Sequence, residues 1–263
     1  MTQAVEPVIL VEKRGAVAVV SFNRPDVMNA VTPEMTQLYI EVMKELEADR
    51  DVRAIVLTGK GRGFCAGADL GVVAGGAEAI DEIVPDADGM PNLTKLMSKP
   101  VIAAVNGAVA GIGYAFMMGT DVRFIAKEAK IATTFARLGL VAEYGLSWTL
   151  PRVVGTGRAF DLLLSGRAIT GEDAVAYGLA EFAVPRDELL DAAIAYAEDL
   201  VQNCSPTSMA IIKRQIVNDL ERGEREALVE TMLLMHASFR GQDLVEAVAA
   251  RQAKRPPAFP PVS

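Results

Sequence analysis

Two glycine-bearing turns carry the chemistry most readily read from this chain: Gly63-Phe64-Cys65-Ala66-Gly67-Ala68-Asp69-Leu70 and Asn106-Gly107-Ala108-Val109-Ala110-Gly111-Ile112-Gly113. Each follows a short apolar run of strand character, and each opens a stretch compatible with a helix. N–H groups at a helix start lack an intrahelical acceptor and sit at the positive end of the helix dipole. Two such starts aimed at one point form an oxyanion hole made of main chain. It suits an oxygen that gains negative charge during a reaction.

Other reactive readings are weaker. Gly111-Ile112-Gly113-Tyr114-Ala115-Phe116 fails as a dinucleotide fingerprint, because Phe116 stands at the third glycine position and no acidic residue lies about 20 residues on. Gly145-Leu146-Ser147-Trp148-Thr149 misses the hydrolase nucleophile elbow at its last position. Cys65 adjoins neither His nor a compensating cation in sequence, so it reads as a packing residue. Asp69 is expected to cap the helix that follows it. His236 falls on a helical stretch and reads as structural. With cysteine only at 65 and 204 and a single histidine, composition supports neither a disulfide framework nor a metal site.

The elements that must position the turns alternate. Val17–Phe22, Ala54–Thr58, Val101–Val105 and Val122–Ile125 are apolar, rich in β-branched residues and bounded by turn residues, which predicts strands. Thr32-Pro33-Glu34 predicts a helix capped by Thr32 with Pro33 in its first position, running to about Ala48. Strand and helix alternation predicts an α/β core. After about Gly155 the pattern turns helical, with helices expected from Ser205-Pro206 to about Leu220, Glu224 to about Phe239 and Asp243 to about Ala253. Gly71 to Pro91 reads as a mobile insertion between core elements.

At 263 residues and 51% hydrophobic composition the chain can bury a large core. A formal charge of −8 and a pI near 4.9 argue against a nucleic-acid partner. They do not exclude a phosphate-bearing small molecule held by a local cluster such as Arg24, Lys60 and Arg62, although solvated surface cations would look the same. Met1 to Glu6 lacks a basic region followed by an apolar stretch, and no apolar run is long enough to cross a bilayer. The expected setting is soluble, reducing and cytoplasmic.

The two turns are similar to those of the crotonase superfamily, also called the enoyl-CoA hydratase/isomerase family. Ser21-Phe22-Asn23-Arg24-Pro25 with Asn29-Ala30, Leu164-Ser165-Gly166-Arg167-Ala168-Ile169 and Lys254-Arg255-Pro256-Pro257-Ala258-Phe259 resemble its N-terminal, central and C-terminal signatures, in order along nearly the whole chain. The resemblance implies a core of ββα repeats wound as a spiral over residues 1–198, and a C-terminal helical region over 199–263 that mediates assembly into a homotrimer or homohexamer. It implies an acyl-CoA thioester substrate, with coenzyme A present only as part of that substrate and no separate cofactor or metal. Aligned to the family motif, the oxyanion donors are the amides of Ala68 and Ile112, and Arg24, Val27, Ala66, Asp69, Leu70, Gly111, Phe135 and Tyr144 fall at substrate-binding positions.

The same alignment puts Ala115 and Phe135 where family hydratases carry two glutamates. Glu143 remains, at a position where several isomerases and some hydrolases of the family carry an acid. One carboxylate opposite an oxyanion hole can take a proton from one carbon and return it to another. An apolar wall from Ala115, Phe116 and Phe135 would raise its pKa. The favoured expectation is therefore an enoyl-CoA isomerase with Glu143 as base. The alternatives are an enoyl-CoA hydratase, an acyl-CoA or diketone hydrolase, and a non-catalytic acyl-CoA-binding protein; a solvated Glu143 at the start of the next helix fits the last.

Overall fold

The computed structural model describes residues 6–76 and 91–261. Its core is a six-stranded sheet in the order β1 (Ile9–Arg14), β2 (Val17–Phe22), β3 (Ala54–Gly59), β5 (Val101–Val105), β7 (Val122–Ala126) and β9 (Phe182–Val184). Only the β1–β2 pair is antiparallel. Strands β2, β3 and β5 are buried at every residue, which is why they read as mostly apolar runs rather than alternating ones.

A second, smaller sheet joins β4 (Gly63–Cys65), β6 (Ala108–Ala110) and β8 (Ile131–Ala132), all parallel. The chain lays one strand in the large sheet, one in the small sheet, and then turns into a helix. It does so as β3, β4, α2 (Leu70–Val73), then as β5, β6, α4 (Ile112–Gly119), and then as β7, β8 and the 3-10 turn Phe135–Leu138. These are ββα repeats of the kind that the resemblance implies. An earlier turn is abbreviated: after β2 and the 3-10 turn Pro25–Val27, the chain makes only an isolated bridge of Val31 to Ala68 before α1 (Pro33–Ala48). Thr32 caps α1 by accepting from the Met35 amide, with Pro33 in the first turn, as its sequence predicts.

Helices α5 (Leu146–Val154), α6 (Thr156–Ser165) and α7 (Gly171–Ala176) follow. The expectation of an all-helical chain beyond Gly155 is corrected by β9, which pairs in parallel with β7. Three residues are too few to show a period, and tertiary pairing decides the matter: the Phe182 ring stacks on Phe124 at 4.4 Å. Helix α8 (Leu189–Asn203) lies across β2, β3, β5 and β7, so position 198, expected as a domain boundary, falls inside a helix packed on the core sheet. The chain leaves that helix at Cys204, in extended conformation.

Helices α9 (Pro206–Asp219), α10 (Glu224–Ser238) and α11 (Gln242–Gln252) begin and end within a residue or two of their expected limits. Lys213 ties α9 to the core, its ammonium donating to the Thr94 and Lys99 carbonyls at 2.8 and 3.0 Å and to Asp121 at 2.8 Å. Thr94 belongs to α3 (Leu93–Leu96). Of the segment expected as a mobile insertion, α2 occupies the start, and residues 77–90 lie outside the described ones.

Candidate active site

The first turn is held by a splint of residues 28–31. Ala66 N–H donates to the Met28 carbonyl at 3.0 Å, Val31 N–H to Gly67 at 2.8 Å, and Asp69 N–H to Val31 at 2.9 Å. In a parallel bridge of this form the flanking groups of residues 67 and 69 are used, and the amide of Ala68 faces the opposite side. It donates no hydrogen bond to any described residue. Gly67 has φ +108°, a conformation L side chains rarely adopt, which explains the glycine.

The second turn repeats the device. Gly111, at φ +51°, precedes Ile112, the first residue of α4, whose amide is one of the helix's orphan donors. The turns abut glycine to glycine: a Cβ on Gly111 would lie 3.5 Å from the Gly67 Cα, and one on Gly67 3.4 Å from the Ala110 carbonyl oxygen. Helix α4 comes this close because Gly113 has no side chain; a Cβ there would stand 2.1 Å from the Cys65 carbonyl oxygen. Two unengaged amides, each directly following a glycine, thus meet at one glycine-to-glycine contact, and donors of this kind are what an oxyanion hole requires.

Glu143 is half-buried and its side chain has no hydrogen-bond or ionic partner among the described residues. Loss of solvent pushes its carboxyl above the usual glutamate value, with no cation to pull it back. It does not start the next helix, since Gly145 precedes α5 and only the Glu143 carbonyl is engaged, by the Leu146 amide at 3.0 Å. Tyr144 follows with φ +54° and Gly145 with φ +70°. A left-handed aromatic residue is uncommon and persists only where its surroundings impose it. Burial also raises the Tyr144 phenol, and the neighbouring Glu143 carboxylate pushes it the same way. Tyr144 and Trp148 line a cleft of about 840 Å³ between α4, α5 and α9, with Met118, Ile212 and Ile216.

The family model for enoyl-CoA hydratase/isomerase matches residues 12–260. The chain belongs to that family, the crotonase superfamily. It is 34% identical over 266 residues to a protein of Escherichia coli named 1,2-epoxyphenylacetyl-CoA isomerase, covering 95% of this chain and 97% of that one. It is also 34% identical over 259 residues to a putative enoyl-CoA hydratase of Thermus thermophilus, covering 94% and 98%. Among solved structures, a probable enoyl-CoA hydratase/isomerase from Mycobacterium abscessus superposes with a TM-score of 0.88 at 31% identity, covering 97% of this chain and 99% of that one.

Within this crotonase-superfamily chain the expected substrate-binding residues divide. Ala66, Asp69 and Gly111 belong to the paired turns, and Val27 and Leu70 are exposed beside them. Phe135 is buried in the core cluster, as is the Ile112 side chain. Phe116 does not wall the site: its ring packs on Phe22 at 4.9 Å and Tyr39 at 5.0 Å, because the helical period turns position 116 inward. Cys65 is buried, its thiol pushed up to about 12 by desolvation, which leaves no thiolate at neutral pH. Asp69 caps α2 by accepting from the Gly71 amide at 3.0 Å, and also accepts from Arg24 Nη1 at 2.9 Å. The Arg24 guanidinium, expected on a phosphate, is engaged inside the protein. Asn29, expected only as part of the N-terminal signature, is fully buried at φ +59° and its amide donates to the Lys60 and Gly63 carbonyls at 3.0 and 2.9 Å. Asn is among the few residues tolerant of that conformation.

Proposed function

We propose that this enzyme shifts the double bond of an enoyl-CoA, with Glu143 moving the proton and the amides of Ala68 and Ile112 holding the thioester oxygen. The observation that carries this reading is a half-buried Glu143 carboxylate with no partner among the described residues, in a chain that also holds two unengaged main-chain amides at one glycine-to-glycine contact; Ala115 and Phe135 stand where the family resemblance places the hydratase glutamates. Removal of the proton at the α-carbon drives charge onto the thioester oxygen, and each amide can lower that barrier by roughly 2.7–4 kcal/mol. The protonated Glu143 then returns its proton to the γ-carbon, and the double bond has moved. Atoms balance with no water consumed.

Hydration is the second reading, supported by the names of several relatives and by Tyr144, next to Glu143 in the chain, whose phenol could serve as a second polar group to orient water. One assay separates them. Purified enzyme is given 3-enoyl-CoA and 2-enoyl-CoA in parallel, and isomerisation is expected to outrun hydration. Faster hydration would overturn the isomerase assignment.

The enzyme acts on its acyl-CoA as a homotrimer or homohexamer. This reading is supported by α10, which buries none of its residues within the single chain and leaves Met232, Leu233 and, just beyond it, Phe239 exposed.

A further inference from the structure

Asp69 poses an electrostatic problem. Its carboxylate follows the oxyanion donor Ala68 directly, and a negative charge there opposes the charge that an enolate oxygen would acquire. One of its oxygens is used by the Gly71 amide at 3.0 Å, and the other faces Arg24 Nη1 at 2.9 Å. The Arg24 guanidinium beside it holds the Asp69 carboxyl below the usual aspartate range, so the charge is present throughout the working pH range. Both side chains are about one quarter exposed, so solvent screens the pair only in part.

Arg24 is itself fixed. Its guanidinium also donates to the Ala30 carbonyl, and its backbone N–H donates to Asn29 Oδ1 at 2.8 Å, the same Asn29 whose amide reaches Lys60 and Gly63. The segment that carries Arg24 is the one whose Met28 and Val31 hydrogen-bond around the first turn. We propose that Arg24 is a positioning residue of the oxyanion hole: it neutralises Asp69 and clamps the turn that presents the Ala68 amide, rather than binding the phosphates of coenzyme A. The inference rests on the enolate chemistry proposed above.

The pair makes an asymmetric expectation. Arg24→Gln leaves Asp69 charged beside the nascent enolate, Asp69→Asn removes the charge and keeps a group that can accept from Gly71, and the double variant removes both charges. The measurement is exchange of the α-hydrogens of butanoyl-CoA in deuterated water, which reports enolate formation directly, together with KM for acyl-CoA and for the acyl-pantetheine thioester that lacks the nucleotide. Arg24→Gln should slow exchange by about tenfold or more with KM little changed, Asp69→Asn by less than about threefold, and Arg24→Gln/Asp69→Asn should recover part of the loss. A double variant no better than Arg24→Gln, with the same melting temperature as Arg24→Gln, would show that the charge of Asp69 is not what Arg24 offsets, and that result overturns the proposal. A rise in KM for acyl-CoA but not for acyl-pantetheine, with exchange unaffected, would assign Arg24 to phosphate binding and overturn it also. Absence of exchange in the wild type would instead sink the enolate reading from which it starts.

Discussion

At the scale of the residue, Glu143 is the position on which the proposed reaction turns. Glu143→Gln keeps the shape and removes the basicity, so turnover should fall roughly 10²–10⁴-fold, measured by single-substrate kinetics, while calorimetric binding of a saturated acyl-CoA stays near the wild-type value. The base works ionised, and its carboxyl titrates above the 4.5 of a solvated glutamate, so the acidic limb of kcat/KM should lie above that value and rise with pH. Stability has the opposite sign. A carboxyl whose folded pKa exceeds its unfolded one stabilises the fold below the unfolded pKa and loses that contribution as pH rises through the folded value. Glu143→Gln should therefore raise the melting temperature at neutral pH, with a smaller gain in acid. A melting temperature lowered at pH 7 would mean that the carboxylate makes a favourable interaction in the fold.

At the scale of the element, the site depends on how closely α4 approaches β4. Gly113 meets the Cys65 carbonyl at a distance no Cβ tolerates, and the clash is with backbone, which cannot swing aside. Gly113→Ala should cost about 1–3 kcal/mol by denaturant unfolding and also depress turnover, because α4 would carry the Ile112 amide away from Gly67. Gly139→Ala is the comparison, since its Cβ meets nothing within 4 Å although its φ of +74° imposes strain. Equal turnover losses in both variants would show that the helix-to-strand distance does not set the oxyanion geometry.

For the whole molecule, the apolar surface is concentrated at the C-terminal end. Leu228, Val229, Met232, Leu233 and Phe239 are all more than 45% exposed, and a solvated helix of that composition needs a partner face. Light scattering at micromolar concentration should give the mass of three or six chains, and Leu233→Glu should lower it; a monomeric wild type would leave that face unexplained. Among the described residues no helix is long and apolar enough to cross a membrane.

The sequence by itself determined most elements and the family. Short, mostly apolar runs with several β-branched residues marked β2, β3, β5 and β7, and the Thr32-Pro33 and Ser205-Pro206 caps marked α1 and α9, because these signals are local. Glycines at 67 and 111 marked the turns for the same reason. Tertiary structure alone decided what depends on distant contacts. Strands β4, β6, β8 and β9 are two or three residues long and exist only because a parallel neighbour pairs them. Sequence placed Arg24 among the cations available to a phosphate, yet the fold sets it against Asp69, 45 positions away. Ion pairing is chosen by proximity in space, and so is the desolvation that separates the Glu143 carboxyl from an ordinary surface acid.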